Sequence, residues 1–271
     1  MIKKLLVGLL ILMMLVGCHG VVPDPDPDPD PEINTVYRAF LVGITDYYSY
    51  GDNYDLYSPA LNTERLEALY QNSNYEFETI VRLTDHDATK DNILNGILET
   101  FADADEDDVS YFYFMGHGSY LALTPTICPT DFKISIPSTY ITVHELEETL
   151  AQIKGTKVVL LESCFSGAFI EKNLSWEQDA INIFSAAALD YLNQNTYQVL
   201  TCTSGNAVGY DTTEGWSFFT RYYIMGCERL KADTNHDNAI SLSEMHAWLV
   251  ENIELQTAQI YPDGSEFIIY E

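Results

Sequence analysis

Val109-Ser110-Tyr111-Phe112-Tyr113-Phe114-Met115-Gly116-His117-Gly118 and, further on, Lys157-Val158-Val159-Leu160-Leu161-Glu162-Ser163-Cys164-Phe165-Ser166-Gly167 are the two stretches that decide the fold. Each is a dense apolar run that stops at small residues surrounding one reactive side chain. A run without polar alternation is the pattern of a strand buried on both faces, as in parallel sheets covered by helices on either side. His117 and Cys164 each stand just past such a run.

The neighbouring sequence repeats the alternation. Segment 38–44 reads as a further buried strand, 77–83 and 197–202 read as strands, and 59–70, 91–101, 143–153, 218–230 and 242–253 carry helical spacing of apolar residues. Strands alternating with helices predict an α/β domain, doubly wound, with a mostly parallel sheet and helices on both faces. In such sheets ligands collect outside the carboxyl ends of the strands, so strand-terminal residues are the informative ones. With the two strands as neighbours, the His117 imidazole and the Cys164 thiol face one another across that edge. A thiol titrates near 8.5 and needs a base or a positive field to become a nucleophile. A strand-to-helix turn after Cys164 adds a helix N-terminal field and a backbone N–H for an oxyanion. Taken singly, a His beside Gly is usually a turn residue and a Cys after a strand usually a small buried hydrophobe. Both ending strands of one sheet favours chemistry.

The segments from Tyr113 to Gly118 and from Leu160 to Gly167 resemble the catalytic motifs of caspase-like peptidases, the group of caspases, metacaspases and clostripain-type enzymes. The His-to-Cys separation is 47 positions (164 − 117), against the roughly 50 noted for caspases. The similarity runs from about Tyr37 to about Asn252 and includes Leu41-Val42-Gly43-Ile44 and the helix containing Asn62. The resemblance implies amide hydrolysis with Cys164 as nucleophile, His117 as general acid and base, and the N–H groups of Gly118 and Cys164 as oxyanion hole. Relatives similar to metacaspases and clostripain carry Asp two residues before the Cys, where it selects a basic P1 residue. Glu162 stands there in this chain, which keeps the charge with a longer reach. Arg or Lys at P1 is therefore expected, with Asp46 as a second acid; the alternative is a Glu162 paired to a neighbouring base. Relatives often carry Ser and Glu around Gly209-Tyr210-Asp211, and that departure leaves a rival: a catalytically idle caspase-like module binding calcium and a partner at the surface. Self-cleavage is expected, if anywhere, in 170–195, where Lys172 is the only basic residue.

A second site lies near the C-terminus. Asp233, Asn235, Asp237, Ser241 and Glu244 place oxygen donors at positions 1, 3, 5, 9 and 12 of a loop over 233–244, and Ala239 offers its carbonyl at position 7. This is an EF-hand-like calcium loop. Asn238 replaces the usual Gly at position 6, and Asn tolerates the left-handed conformation required there. A plain acidic turn is the alternative.

At the N-terminus, Lys3 and Lys4, an apolar stretch over 5–16 and Leu15-Val16-Gly17-Cys18 read as a bacterial lipoprotein signal over 1–17. Diacylated Cys18 then anchors the chain to a cell-envelope membrane, two or more chains being needed for stable anchoring. The alternative is an ordinary signal peptide that contains a Cys. A strict Pro/Asp alternation over 23–31 makes 18–35 an extended linker, and 36–271 is the peptidase domain.

Asp and Glu number 41 against 13 Lys and Arg, a net charge of −28 that becomes −30 when Lys3 and Lys4 leave (−28 − 2). So acidic a chain lacks the basic patch that nucleic acid demands, and it suits cationic partners or calcium. Cys128, Cys164, Cys202 and Cys227 show no zinc-type or thioredoxin-type spacing, and a disulfide between two of them is open.

Overall fold

In chain order the strands are β1 (Tyr37–Gly43), β2 (Phe77–Thr84), β3 (Val109–Met115), β4 (Gly118–Leu121), β5 (Thr124–Ile127), β6 (Ile141–Thr142), β7 (Thr156–Glu162), β8 (Tyr197–Thr201), β9 (Ile240–Ser241), β10 (Gln259–Tyr261) and β11 (Ile268–Tyr270). The helices are α1 (Pro59–Gln71), α2 (Lys90–Thr100), α3 (Val143–Leu150), α4 (Phe218–Cys227) and α5 (Leu242–Asn252). These come from a computed structural model that describes residues 34–51, 53–170 and 196–271. The expected signal, Cys18, the Pro/Asp run and Lys172 lie outside the described residues.

Six strands of the described residues form one sheet in the order β10-β8-β7-β3-β1-β2. β2, β1, β3, β7 and β8 pair in parallel, and only β10 at the edge runs antiparallel to its neighbour β8. The apolar runs split their side chains between two cores, as the pleat requires. Phe40, Val42, Phe112, Phe114, Val159 and Leu161 face one core with Ile93 and Ile97 of α2 and Leu146 and Leu150 of α3. Leu41, Tyr111, Tyr113, Val158 and Leu160 face the other with Leu66 of α1, Tyr223 of α4 and Met245 and Leu249 of α5. The expected doubly wound α/β architecture is the one observed.

Helix starts follow local chemistry. Thr142 and Ser241 close capping boxes with Glu145 and Glu244, and the Thr89 and Ser217 side chains accept from Asn92 N and Thr220 N. β4, β5 and β6 form a separate antiparallel sheet, and β9 pairs antiparallel with β11.

The sheet is locked at the end away from His117 and Cys164. Asp108, just before β3, accepts from Val36 N (2.9 Å), Asp105 N (3.1 Å) and Arg38 Nη1 (2.7 Å), while Arg38 Nη2 reaches Glu78 at 2.7 Å. Both Arg38 and Asp108 are buried.

Candidate active site

β3 and β7 are immediate neighbours, and their last aligned pair is Met115 with Glu162. His117 and Cys164 each lie two residues beyond that pair. Leu56, Met115, Gly116, His117, Glu162, Ser163, Cys164, Gly209, Tyr210 and Asp211 line a single cleft there. The sequence expectation that imidazole and thiol share one sheet edge is met in this geometry.

The glycines on either side of His117 are demanded by packing. A Cβ on Gly116 would lie 2.6 Å from the Tyr47 hydroxyl. One on Gly118 would run into the Cys164 carbonyl oxygen and lie 2.8 Å from Ser163 Oγ. The backbones after β3 and β7 thus approach as closely as only Gly allows.

His117 is held at three points. The Tyr47 hydroxyl accepts from His117 N (2.8 Å) and donates to Cys128 O (3.0 Å), and its ring lies 4.6 Å from the imidazole. The third is the Tyr54 carbonyl, 2.7 Å from Nε2. A carbonyl only accepts, so in the neutral ring the proton is on Nε2 and Nδ1 keeps its lone pair. Burial lowers the His117 pKa from its ordinary value, partly countered by the Tyr54 bond and the nearby Asp55 carboxylate.

Burial likewise raises the Cys164 thiol above its ordinary value, and the N–H groups of Gly209 and of Cys164 itself pull it back. Both shifts favour the neutral forms, a thiol and an imidazole lining one cleft. The expected helix after Cys164 is a short 3-10 turn, Ser166–Phe169, entered through Phe165 at φ +63°. One such turn supplies no helix-terminal field of the kind expected. The N–H of Gly118 is available in another way. His117 O accepts from Cys128 N, which makes the Gly118–Ile127 pair of β4 and β5 a non-hydrogen-bonded one and leaves the Gly118 N–H outside the ladder.

Glu162 is fully enclosed. Its Oε2 accepts from the Tyr113 hydroxyl (2.9 Å) and Thr220 Oγ1 (2.6 Å), whereas Oε1 has no hydrogen-bond partner, the Ser217 hydroxyl lying near without reaching it. Burial pushes its pKa up to about 7; the Ser217, Thr220 and Tyr113 hydroxyls oppose this and the Asp211 charge adds to it. No basic side chain pairs with Glu162 among the described residues.

Asp46 does not line the cleft. It follows β1 into a turn where Thr45 N and Asp46 N both donate to Asp85 Oδ1, and its half-exposed carboxylate pairs with His86 Nε2 at 3.0 Å. The second acid in the cleft is Asp211, on the loop between β8 and α4. Its stretch is visible in the sequence only as a departure from the relatives, and Tyr54 acts through a backbone carbonyl, which no side-chain pattern reveals. Cys128, Cys164, Cys202 and Cys227 are all free thiols.

In the loop over 233–244, Asp233 accepts from His236 N and Asn238 N, and Asp237 from Ala239 N. Asn238 has φ +70°, the left-handed backbone expected at position 6. Glu244 spends both carboxylate oxygens on neighbouring backbone and hydroxyl donors. Its Oε1 accepts from Thr234 N, Thr234 Oγ1 and Asn235 N, and its Oε2 from Ser241 N and Oγ. Burial would raise its pKa, but these bonds outweigh it and hold the carboxylate at about 2. Among the described residues no three His, Cys, Asp or Glu side chains converge as a metal cage.

Comparison with known proteins agrees with this fold. The family model described as a caspase domain matches residues 37–246. Metacaspase-1 of Plasmodium falciparum (isolate 3D7) is 29% identical over 171 residues, which are 52% of this chain and 27% of that protein. The chain thus corresponds to about a quarter of that relative's length. The crystal structure of protein GSU0716 from Geobacter sulfurreducens superposes with a TM-score of 0.59 at 14% identity, covering 83% of this chain and 92% of the other, a likeness of fold.

Proposed function

This chain belongs to the caspase-domain family, and from that premise we propose that it is a cysteine endopeptidase that cuts after Arg or Lys. The observation that carries the reading is the cleft that joins His117, Cys164 and the unpaired Glu162 Oε1. As the Cys164 sulfur attacks the scissile carbonyl carbon, His117 Nδ1 takes the thiol proton, and the developing oxyanion accepts from the N–H groups of Gly118 and Cys164. His117 then gives that proton to the leaving amine as the C–N bond breaks. Water deprotonated by His117 opens the thioester, releasing the carboxylate product and returning the proton to sulfur. Ionised Glu162 meets the P1 guanidinium or ammonium with Oε1, a charge-assisted bond in a dry site.

Hydrolysis of fluorogenic peptides with Arg, Lys, Asp or Ala at P1, run beside Cys164→Ala, tests this directly. Turnover of Arg or Lys peptides that disappears in the variant is expected. Turnover of Asp peptides would retain the peptidase and overturn the role of Glu162. Silence on every peptide by folded protein would favour the idle binding module.

We also propose that the loop over 233–244 takes calcium, through Asp233, Asn235, Asp237, the Ala239 carbonyl, Ser241 and Glu244. The all-oxygen donor set suits a hard cation, and Glu244 must turn from Thr234 and Asn235 to join it. A melting temperature raised by calcium and no longer raised in Glu244→Gln is the expected result. Lipid attachment at Cys18 and anchoring to a cell-envelope membrane are proposed from the signal sequence, and loss of acyl labelling in Cys18→Ser tests them.

A further inference from the structure

The two carboxylates of the cleft differ in how their oxygens are used. Glu162 has one buried oxygen without a hydrogen-bond partner, whereas Asp211 is saturated. Its Oδ2 accepts from Tyr57 N (2.5 Å) and Ser58 N (3.1 Å), and its Oδ1 accepts from Ser58 Oγ and from Thr212 N (2.8 Å). Four donors match the four lone-pair positions of a carboxylate, so Asp211 has no directed bond left for a substrate cation. Three of those donors belong to residues 57 and 58, just ahead of α1.

What precedes those two residues gives the bonds their meaning. Three positions before Tyr57 stands Tyr54, whose carbonyl holds His117 Nε2. Leu56 N donates to Thr45 O (2.9 Å) and Tyr47 N donates to Asp55 Oδ1 (3.0 Å), so residues 54–56 are tied to the end of β1. Tyr47 is also the residue whose hydroxyl accepts from His117 N. The downstream end of this segment is secured by Asp211, from the other side of the cleft and 153 positions away from Ser58 (211 − 58). Ser58 is fully buried, and its hydroxyl also accepts from Asn62 Nδ2 (3.2 Å) in the first turn of α1.

We propose that Asp211 is a positioning residue: it anchors residues 54–58 so that the Tyr54 carbonyl holds the proton of His117 on Nε2 and presents Nδ1 to Cys164. The inference rests on the reading of His117 and Cys164 as the working pair. It assigns the cleft's two acids different tasks, Glu162 receiving the P1 cation and Asp211 holding the base. Ser58 shares the second task although it does not line the cleft.

The test combines steady-state kinetics on an Arg-P1 peptide with the pH dependence of Cys164 alkylation by iodoacetamide, which needs no P1 recognition. Asp211→Asn and Ser58→Ala are compared with wild type and His117→Ala. Asn presents an N–H₂ where donors converge, and Ala at 58 removes one anchor without touching the cleft. The expected result is a fall in kcat of roughly 10- to 100-fold for Asp211→Asn with KM little changed. A smaller fall in the same direction is expected for Ser58→Ala, and in both variants slower alkylation with a displaced pH limb. A KM increase with kcat and alkylation unchanged would make Asp211 a substrate ligand and overturn the proposal. Should Asp211→Asn fail to fold, an unchanged kcat and alkylation profile in Ser58→Ala would overturn it alone. Alkylation slowed by His117→Ala but not by the other two variants would sink the positioning role only. Alkylation indifferent to His117→Ala would sink the pair itself.

Discussion

Glu162 and His117 are shifted in opposite directions by the same burial, up for the carboxyl and down for the imidazole, and that predicts how to separate them. Cleavage after Arg requires Glu162 ionised, and its pKa of about 7 means that kcat/KM on Arg peptides rises through neutrality. Alkylation of Cys164 requires only unprotonated His117, whose pKa lies below its ordinary 6.5, so that rate rises at lower pH. In Glu162→Gln the two limbs coincide at the lower value, and KM for Arg peptides increases. Stability carries the same group with a definite sign. A carboxyl at 4.5 unfolded and about 7 folded binds more protons in the native state, so its contribution is complete below 4.5 and is lost as pH rises toward 7. Urea melts across that window should show the slope in wild type and not in Glu162→Gln. His117, Cys164 and Glu162, which line one cleft, were legible because their side chains interrupt apolar runs. Asp46 misled because a carboxylate at a strand end signals a site only if the following turn faces the cleft, and here the turn faces Asp85 and His86.

The strands that were legible are those of five residues or more, most of them buried, though β2 was legible with its residues only half-buried or exposed. β1, β3 and β7 are almost wholly buried, and their runs needed no context. β4, β5 and β6 were not legible: they span two to four residues, β4 is only half-buried, and Pro125 interrupts the pattern. The same brevity hides β10 and β11. Yet β4 matters, because its first residue, Gly118, is where the chain leaving His117 meets Cys164. Gly118→Ala must push the two strand ends apart against the Cys164 carbonyl. It is expected to destabilise by about 1–3 kcal/mol, the range of overpacking in a tight core, and to lower kcat much more than that loss of stability explains. Thermal melts and kinetics on one preparation check both. Kinetics of the wild-type order would mean that the approach of Gly118 and Cys164 is not needed for catalysis.

The molecule as built has one locked end and one working end. The buried pair Arg38 and Asp108, with the exposed Glu78, binds the start of β3 to β1 and β2, while the opposite strand ends are left to His117, Cys164, Glu162 and Asp211. Removing one partner of a buried ion pair leaves an uncompensated charge, so Asp108→Ala is expected to cost about 3–5 kcal/mol of stability. A denaturant midpoint shared with wild type would show that the Glu78 contact suffices. The doubly wound topology was legible because alternation of buried runs with helical spacing admits few arrangements. The tie between Asp211 and residues 57–58 was not, because contacts across 153 positions leave no periodic trace.

An acyloxymethyl ketone carrying Arg at P1, followed by intact-protein mass spectrometry over time, tests whether His117 activates Cys164 in a cleft that reads a basic P1 residue. A single adduct on Cys164 is predicted, absent in Cys164→Ala and formed roughly 100-fold more slowly in His117→Ala. An adduct forming equally fast without His117, or settling on a thiol other than Cys164, would contradict it.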